Sequence, residues 1–204
     1  MRWSERFGRA RALVLVPAMI GLGTLLPGAV TPARVILSRD EALHLAFGSG
    51  AQVERRTAFL APAELDRART LAGPGVPIET AMVPRYIGHD GDRFLGVAYF
   101  DTHRVRTENE TIMVVVSGDG RVVRVEIIAF GEPPDYLARP AWLRQFDDQS
   151  LGADLALDRD IQPMTGASLT ARAVTLAVRR VLALHAVLTP AGDPVRSPRE
   201  AGPR

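Results

Sequence analysis

The chain has 204 residues, 47% of them apolar, and a net charge of +2, bounds that suit one globular domain. All 25 basic residues are Arg, and Arg2, Arg6, Arg9 and Arg11 face only Glu5 in the first 33 residues; that leaves 21 Arg against 22 Asp and Glu. The body is therefore not basic, which excludes nucleic acid as a main partner, and the absence of Cys excludes a disulfide framework, a Cys-ligated iron–sulfur cluster, a c-type haem and a lipoprotein attachment site.

The opening segment, MRWSERFGRARALVLVPAMIGLGTLLPGAVTPA, runs from an Arg-rich start through an apolar stretch to small residues and prolines. That order predicts a leader over 1–33: a signal peptide cleaved after Ala29 or Ala33, or an uncleaved anchor over 12–30. Positive charge ahead of the apolar stretch places the rest of the chain outside the cytoplasm on either reading. A buried core helix is disfavoured because Pro17, Pro27 and Pro32 interrupt the segment.

ILSRDEALHLAF predicts a helix capped by Ser38, with Glu41 completing a capping box and Ala42, Leu45 and Ala46 on one face. APAELDRARTLAG predicts a second helix, with Pro62 near its start and Gly73 just past its end. Three strands are expected at Arg93–Asp101, Thr111–Ser117 and Arg121–Phe130, the last two joined through Gly118–Gly120 as a hairpin. In the third, Val123, Val125 and Ile127 alternate with Arg124 and Glu126, which predicts one buried face. The prolines of GEPPDYLARPAW argue against regular structure, and residues 146–164 read as a polar loop. A helix follows from about Leu169 to Leu188, then a tail over 189–204 of disordered composition. The expected architecture is α+β: an antiparallel sheet packed with helices, one domain over 34–188.

The last helix opens in PMTGASLTARAV, where nothing larger than Thr stands between Met164 and Leu169. Arg172, Thr175 and Arg179 form a narrow polar stripe on an otherwise apolar helix, which predicts a largely buried element. Its first N–H groups and positive dipole end favour a phosphate, while Thr165 or Ser168 could equally serve as the N-cap. Both readings stand on the residues alone. Elsewhere, HRVRTENE puts Arg104, Arg106, Glu108 and Glu110 at alternate positions, read first as a solvated strand face and otherwise as a contact with ligand or partner. His44, His103 and His185 are too scattered to predict a metal site, and His185 sits where it could meet the helix-end carbonyls. Tyr99, Tyr136 and Trp142 read as core or loop anchors before stacking partners, and Asp147 and Asp148 as loop surface.

TGASLT resembles the [ST]-G-A-[ST]-x-[ST] signature of the FMN-binding domain family. RDIQPMTGASLTARAVTLAVRRVLAL is similar to the family's motif and following helix. GRVVRVEIIAFGEPPDY is similar to its strand and Glu-Thr-Pro loop, with Glu132 and Pro134 in matching places and Pro133 in place of Thr. The resemblance spans about Phe94 to Leu188. Members include the flavin-carrying C subunit of the sodium-translocating NADH:quinone reductase and the G subunit of the related electron-transport complex.

The resemblance implies FMN as cofactor, joined by a phosphoester to Ser168, with Thr165, Gly166, Ala167, Leu169 and Thr170 around it. It also implies a flavin transferase for maturation, redox partner proteins at the membrane, and an exported electron carrier rather than a stand-alone enzyme. Ser168 is then a tether, and no catalytic residue or metal ligand is expected. The chain differs from the family in having Gln162 where Asp is usual and Ser168 where Thr is commoner. Two other readings remain: a sensory or interaction module of the same fold without covalent flavin, and an exported enzyme with Ser168 as nucleophile. Against the second, no Ser–His–acid context is recognisable.

Overall fold

The computed structural model describes residues 33–189, so the leader and the tail expected from the sequence lie outside the described residues but for one residue each. Six strands form one antiparallel sheet: β1 (Arg34–Val35), β2 (Gln52–Phe59), β3 (Met82–Asp90), β4 (Arg93–Arg104), β5 (Asn109–Val116) and β6 (Val122–Phe130), in the order β1-β6-β5-β4-β3-β2. Four helices join them: α1 (Arg39–Phe47), α2 (Pro62–Ala72), the single turn α3 (Pro140–Leu143) and α4 (Ser168–Leu188). The α+β class is as expected. Among the described residues no helix is long and apolar enough to cross a membrane.

Local chemistry explains the helix starts. Ser38 and Glu41 exchange the two bonds of a capping box, Ser38 N–H to Glu41 at 2.8 Å and Glu41 N–H to the Ser38 hydroxyl at 3.2 Å. Pro62 stands at the start of α2, and Gly73 ends it with a positive φ of 87°. The face of α1 is partly as expected: Ala42 and Ala46 meet the sheet, with Leu43 and Phe47 beside them, while Leu45 is half-exposed.

The three expected strands are present, but β2 and β3 were not anticipated. QVERRTAF is an edge strand whose alternation is masked by charge, and MVPRYIGHD carries a Pro and a Gly inside a strand. Pairing of β5 with β6 is irregular at Val115/Val116, so Val122 turns inward and Val123, expected inward, is 47% exposed. Ordinary alternation puts Ile128 on the opposite face from Ile127, where it packs with α1, and a second irregularity at Thr111/Ile112 returns Phe130 to the face of Ile127. The prolines of the segment after β6 do not exclude helical turns. Pro134 and Pro140 each open one, a 3₁₀ turn over Pro134–Tyr136 and α3, because a first-turn Pro forfeits no hydrogen bond.

The sheet buries both faces. Against one lie α2 and α4, with Ile87, Val97, Tyr99, Ile112, Val114 and Val116 meeting Val174, Val178 and Val181. Against the other lies α1, over Tyr86, Ala98, Met113 and Val115. Of the expected polar stripe of α4, only Arg172 is exposed. Thr175 is buried and returns its hydroxyl to the Ala171 carbonyl at 2.7 Å. Arg179 reaches out to satisfy the Ala72, Gly152 and Leu155 carbonyls, tying α2 and the loop after β6 to α4. That loop is anchored rather than merely polar, since Phe146, Leu155 and Ile161 are all buried in the larger core.

Candidate functional site

The stretch TGAS makes a turn directly onto α4. Gly166 has a φ of 82°, a conformation that side chains other than Asn and Asp rarely adopt, and the Ala167 N–H bonds the Met164 carbonyl at 3.1 Å. The N-cap is Ala167, and no side chain caps the helix. Neither Thr165 nor Ser168 therefore takes the capping role that the sequence allowed. Ala167 cannot supply an oxygen, and Ser168 already sits inside the first turn with its side chain exposed. The N–H groups of a first helical turn have no intrahelical acceptor, so this end is left with donors and the positive end of the dipole.

The helix start opens on a pocket of about 290 Å³. Gly166, Ala167, Ser168, Leu169 and Thr170 line one side; Val105, Arg106, Glu132 and Tyr136 line the other. Five of the six expected site residues thus share one pocket, and Thr165 is not in its lining. Thr170 is 1% exposed and its hydroxyl has no hydrogen-bond partner among the described residues. A buried hydroxyl without a partner costs about 1–3 kcal/mol, which marks this one as a donor suited to a ligand oxygen. Arg106 makes no ion pair among the described residues and brings positive charge to the pocket wall.

Glu132 builds that wall. It is buried, and one carboxylate oxygen accepts from the backbone N–H groups of Arg106 (3.1 Å), Thr107 (2.6 Å) and Glu108 (2.9 Å). The turn between β4 and β5 is thereby wrapped around one anion. These bonds, the Glu108 N–H foremost, hold the carboxyl below its usual range. Gly131 makes the close approach possible: a Cβ there would stand 2.8 Å from the Glu108 Cβ. The sequence shows Glu132 only through the resemblance, and alternation places Arg106 on a strand face read first as solvated and otherwise as a contact with ligand or partner. The pairing of Val105 N–H with the Glu108 carbonyl, at 3.1 Å, closes a turn where an alternating strand had been expected.

A second polar constellation lies on the same sheet face. His103 bonds Asp101 through Nδ1 at 2.9 Å and Glu110 through Nε2 at 3.1 Å, and Arg180 of α4 grips Asp101 at 2.7 and 2.6 Å. Glu110, expected on a solvated face, is fully buried. Burial alone would pull the His103 imidazole down, but its bonds to Asp101 and then Glu110 outweigh that and hold it above its usual range. A raised folded-state value contributes stability in full below the unfolded value of about 6.5, and the contribution is lost as pH rises through the raised value. Urea unfolding between pH 6 and 9 is therefore expected to show stability falling with pH in the native chain and a flatter profile in His103→Gln. Equal slopes would refute the assignment.

The remaining candidates are structural. His185 does not meet the helix-end carbonyls; its Nδ1 pairs with the buried Tyr99 hydroxyl at 3.0 Å, and burial drops it to about 4. Trp142 anchors a loop by donating to the Gln162 carbonyl at 2.8 Å, and Gln162 N–H donates to the Gln145 side chain at 2.8 Å. Tyr136 alone of the three aromatics lines the pocket at α4. Among the described residues no His, Asp and Glu group has the arrangement of a metal site.

An α+β domain whose long helix begins uncapped at a pocket, facing an arginine and a buried free hydroxyl, is of the class that holds phosphate-bearing ligands. Residues 108–183 match the model of the FMN-binding domain family, and the match supports FMN as the cofactor. The span takes in β5, β6 and most of α4, and with them the helix-start side of the pocket. The crystal structure of NqrC from Shewanella oneidensis is similar over 67% of this chain and 81% of that one, at 16% identity and a TM-score of 0.49. No curated protein matches the chain.

Proposed function

We propose that the chain is an exported electron-transfer flavoprotein whose FMN is held by its phosphate at the start of α4, through a phosphoester to the Ser168 hydroxyl. The observation that carries this reading is the uncapped first turn of α4, which opens on a pocket within reach of the FMN-binding domain match. FMN supplies reversible electron uptake, and the protein supplies position and electrostatics. Ser168 is exposed and its hydroxyl has no hydrogen-bond partner among the described residues, so a flavin transferase can reach its oxygen. The Thr170 hydroxyl, the first-turn N–H groups and the Arg106 guanidinium are the groups that would meet the phosphate. Glu132 acts indirectly, by holding the backbone that presents Arg106. A tether makes sense outside the cytoplasm, where lost flavin is not readily replaced, and the Arg-rich leader supports export. Its redox partners would be proteins at or in the membrane.

Coexpression with a flavin transferase in an exporting host tests the reading. After denaturing electrophoresis the native chain should show flavin fluorescence in its band, with the FMN mass on the peptide containing Ser168, and Ser168→Ala should be dark. A dark native band from a yellow protein would keep FMN and remove the ester. The position of Gln162, where the family has Asp, makes Gln162→Asp the variant to test next in that event.

A further inference from the structure

Strand β4 and helix α4 run antiparallel, and three pairs set their register. Tyr99 meets His185, Asp101 meets Arg180, and Val105 lines the same pocket as Leu169 and Thr170. The spacing is consistent. Ten helical residues from Arg180 back to Thr170 span about 15 Å, and four strand residues from Asp101 to Val105 span about 13 Å. His103 is therefore the next residue on this face behind the pocket wall at Val105, about 7 Å along the strand. Its other side faces water: Asp101, His103 and Arg180 line an open cleft of about 680 Å³ between the sheet and α4.

The charges around His103 are few and accountable. Strand β4 contributes Asp101, β5 contributes Glu110 and α4 contributes Arg180, while the exposed Glu79 and Arg104 also line the cleft. Arg180 is committed to Asp101 and to the Pro77 carbonyl at 3.1 Å. The loosely satisfied member is Glu110: it is fully buried, one oxygen meets His103, and the other has no partner among the described residues. A buried carboxylate so placed is costly to keep charged, and its only bonded partner is a group that can gain or lose a proton. Structural ion-pair clusters are usually closed at every atom; this one is open at Glu110 and wet at His103.

We propose that the His103–Glu110 pair takes up a proton from water, through the cleft, when FMN in the adjoining pocket is reduced, so that the added negative charge is offset on the protein. The inference rests on FMN occupying the α4 pocket. Two electrons come from an external donor and reside on the flavin, which takes one proton from solvent and so gains one negative charge; a second proton from solvent resides on the pair; no bond forms between the pair and the cofactor. A unit charge about 10 Å away at an effective dielectric of about 20 moves a titration by about one pH unit.

The test is an NMR titration of the His103 ring in intact protein carrying FMN, oxidised and then fully reduced with dithionite. The flavin absorbance is recorded first, and its absence would overturn both this inference and the placement of FMN. With FMN present, the expected result is an upward shift of the His103 titration by about one unit on reduction, and a smaller or absent shift in Glu110→Gln. A His103 titration that does not move on reduction overturns the proposal while leaving the flavin site intact. The wild-type measurement is decisive by itself if Glu110→Gln does not fold.

Discussion

Replacing Arg180 by Met is expected to lower the unfolding free energy by about 3–5 kcal/mol, the range for removing one partner of a buried ion pair. The two side chains of the pair are only 13% and 11% exposed, and the guanidinium grips both Asp101 oxygens. Without it Asp101 keeps a single bond, to His103, and the Pro77 carbonyl loses a donor. Met replaces much of the stem volume, so the loss reports charge rather than a cavity. Asp101 is instructive here: burial would raise its carboxyl, yet Arg180 first and His103 second hold it below the usual range. A double variant, Arg180→Met with Asp101→Asn, should cost less than the two single losses added together, because no buried charge is left alone. Urea unfolding of the four proteins measures this. A single-variant loss below about 1 kcal/mol would place the pair with solvent-exposed bridges instead.

Glu132→Ala is expected to cost about 2–3 kcal/mol and to weaken FMN binding at the same time, because three backbone N–H groups lose a charged acceptor together. Glu132→Gln keeps an oxygen at the centre of the turn and should lose roughly half as much, since charge-assisted bonds are about twice as strong as neutral ones. The acid dependence separates the two roles. A carboxyl held low in the folded state contributes stability above its unfolded value of about 4.3 and loses it as pH falls through the lower folded value. The protection of the Thr107 and Glu108 amides, relative to the intrinsic exchange rate at each pH, should fall on acidification in the native chain, and should be low and nearly independent of that step in Glu132→Gln. Unchanged exchange in the variant would mean that the turn holds itself.

Both residues show how a sequence can contain a site without displaying it. Glu132 sits 24 to 26 positions from the amides it binds, and Arg180 sits 79 from Asp101, so no local pattern connects them. The TGAS turn was legible because Gly166 and the small residues around it act within a few positions of one another. The capping role allowed to Thr165 and Ser168 failed for a local reason of a finer kind: the N-cap falls between them, on Ala167, and leaves both hydroxyls out. Glu110 was read from alternation as solvated, and alternation does place it correctly on the face of Ile112 and Val114. What alternation cannot state is that α4 covers that face.

By itself the sequence determined the helices with marked ends, strands β4, β5 and β6, the hairpin at Gly118–Gly120 and the small-residue entry to α4. Each depends on hydrophobic period or backbone geometry over a few residues. Only the tertiary structure decided strands β1, β2 and β3, the inward turn of Val122 and Phe130, the pocket shared by α4 with the Glu132-held turn, and the burial of Glu110 beside His103. Those depend on how strands slip past one another and on which face a distant helix covers, and such choices are made by the packing of the whole chain.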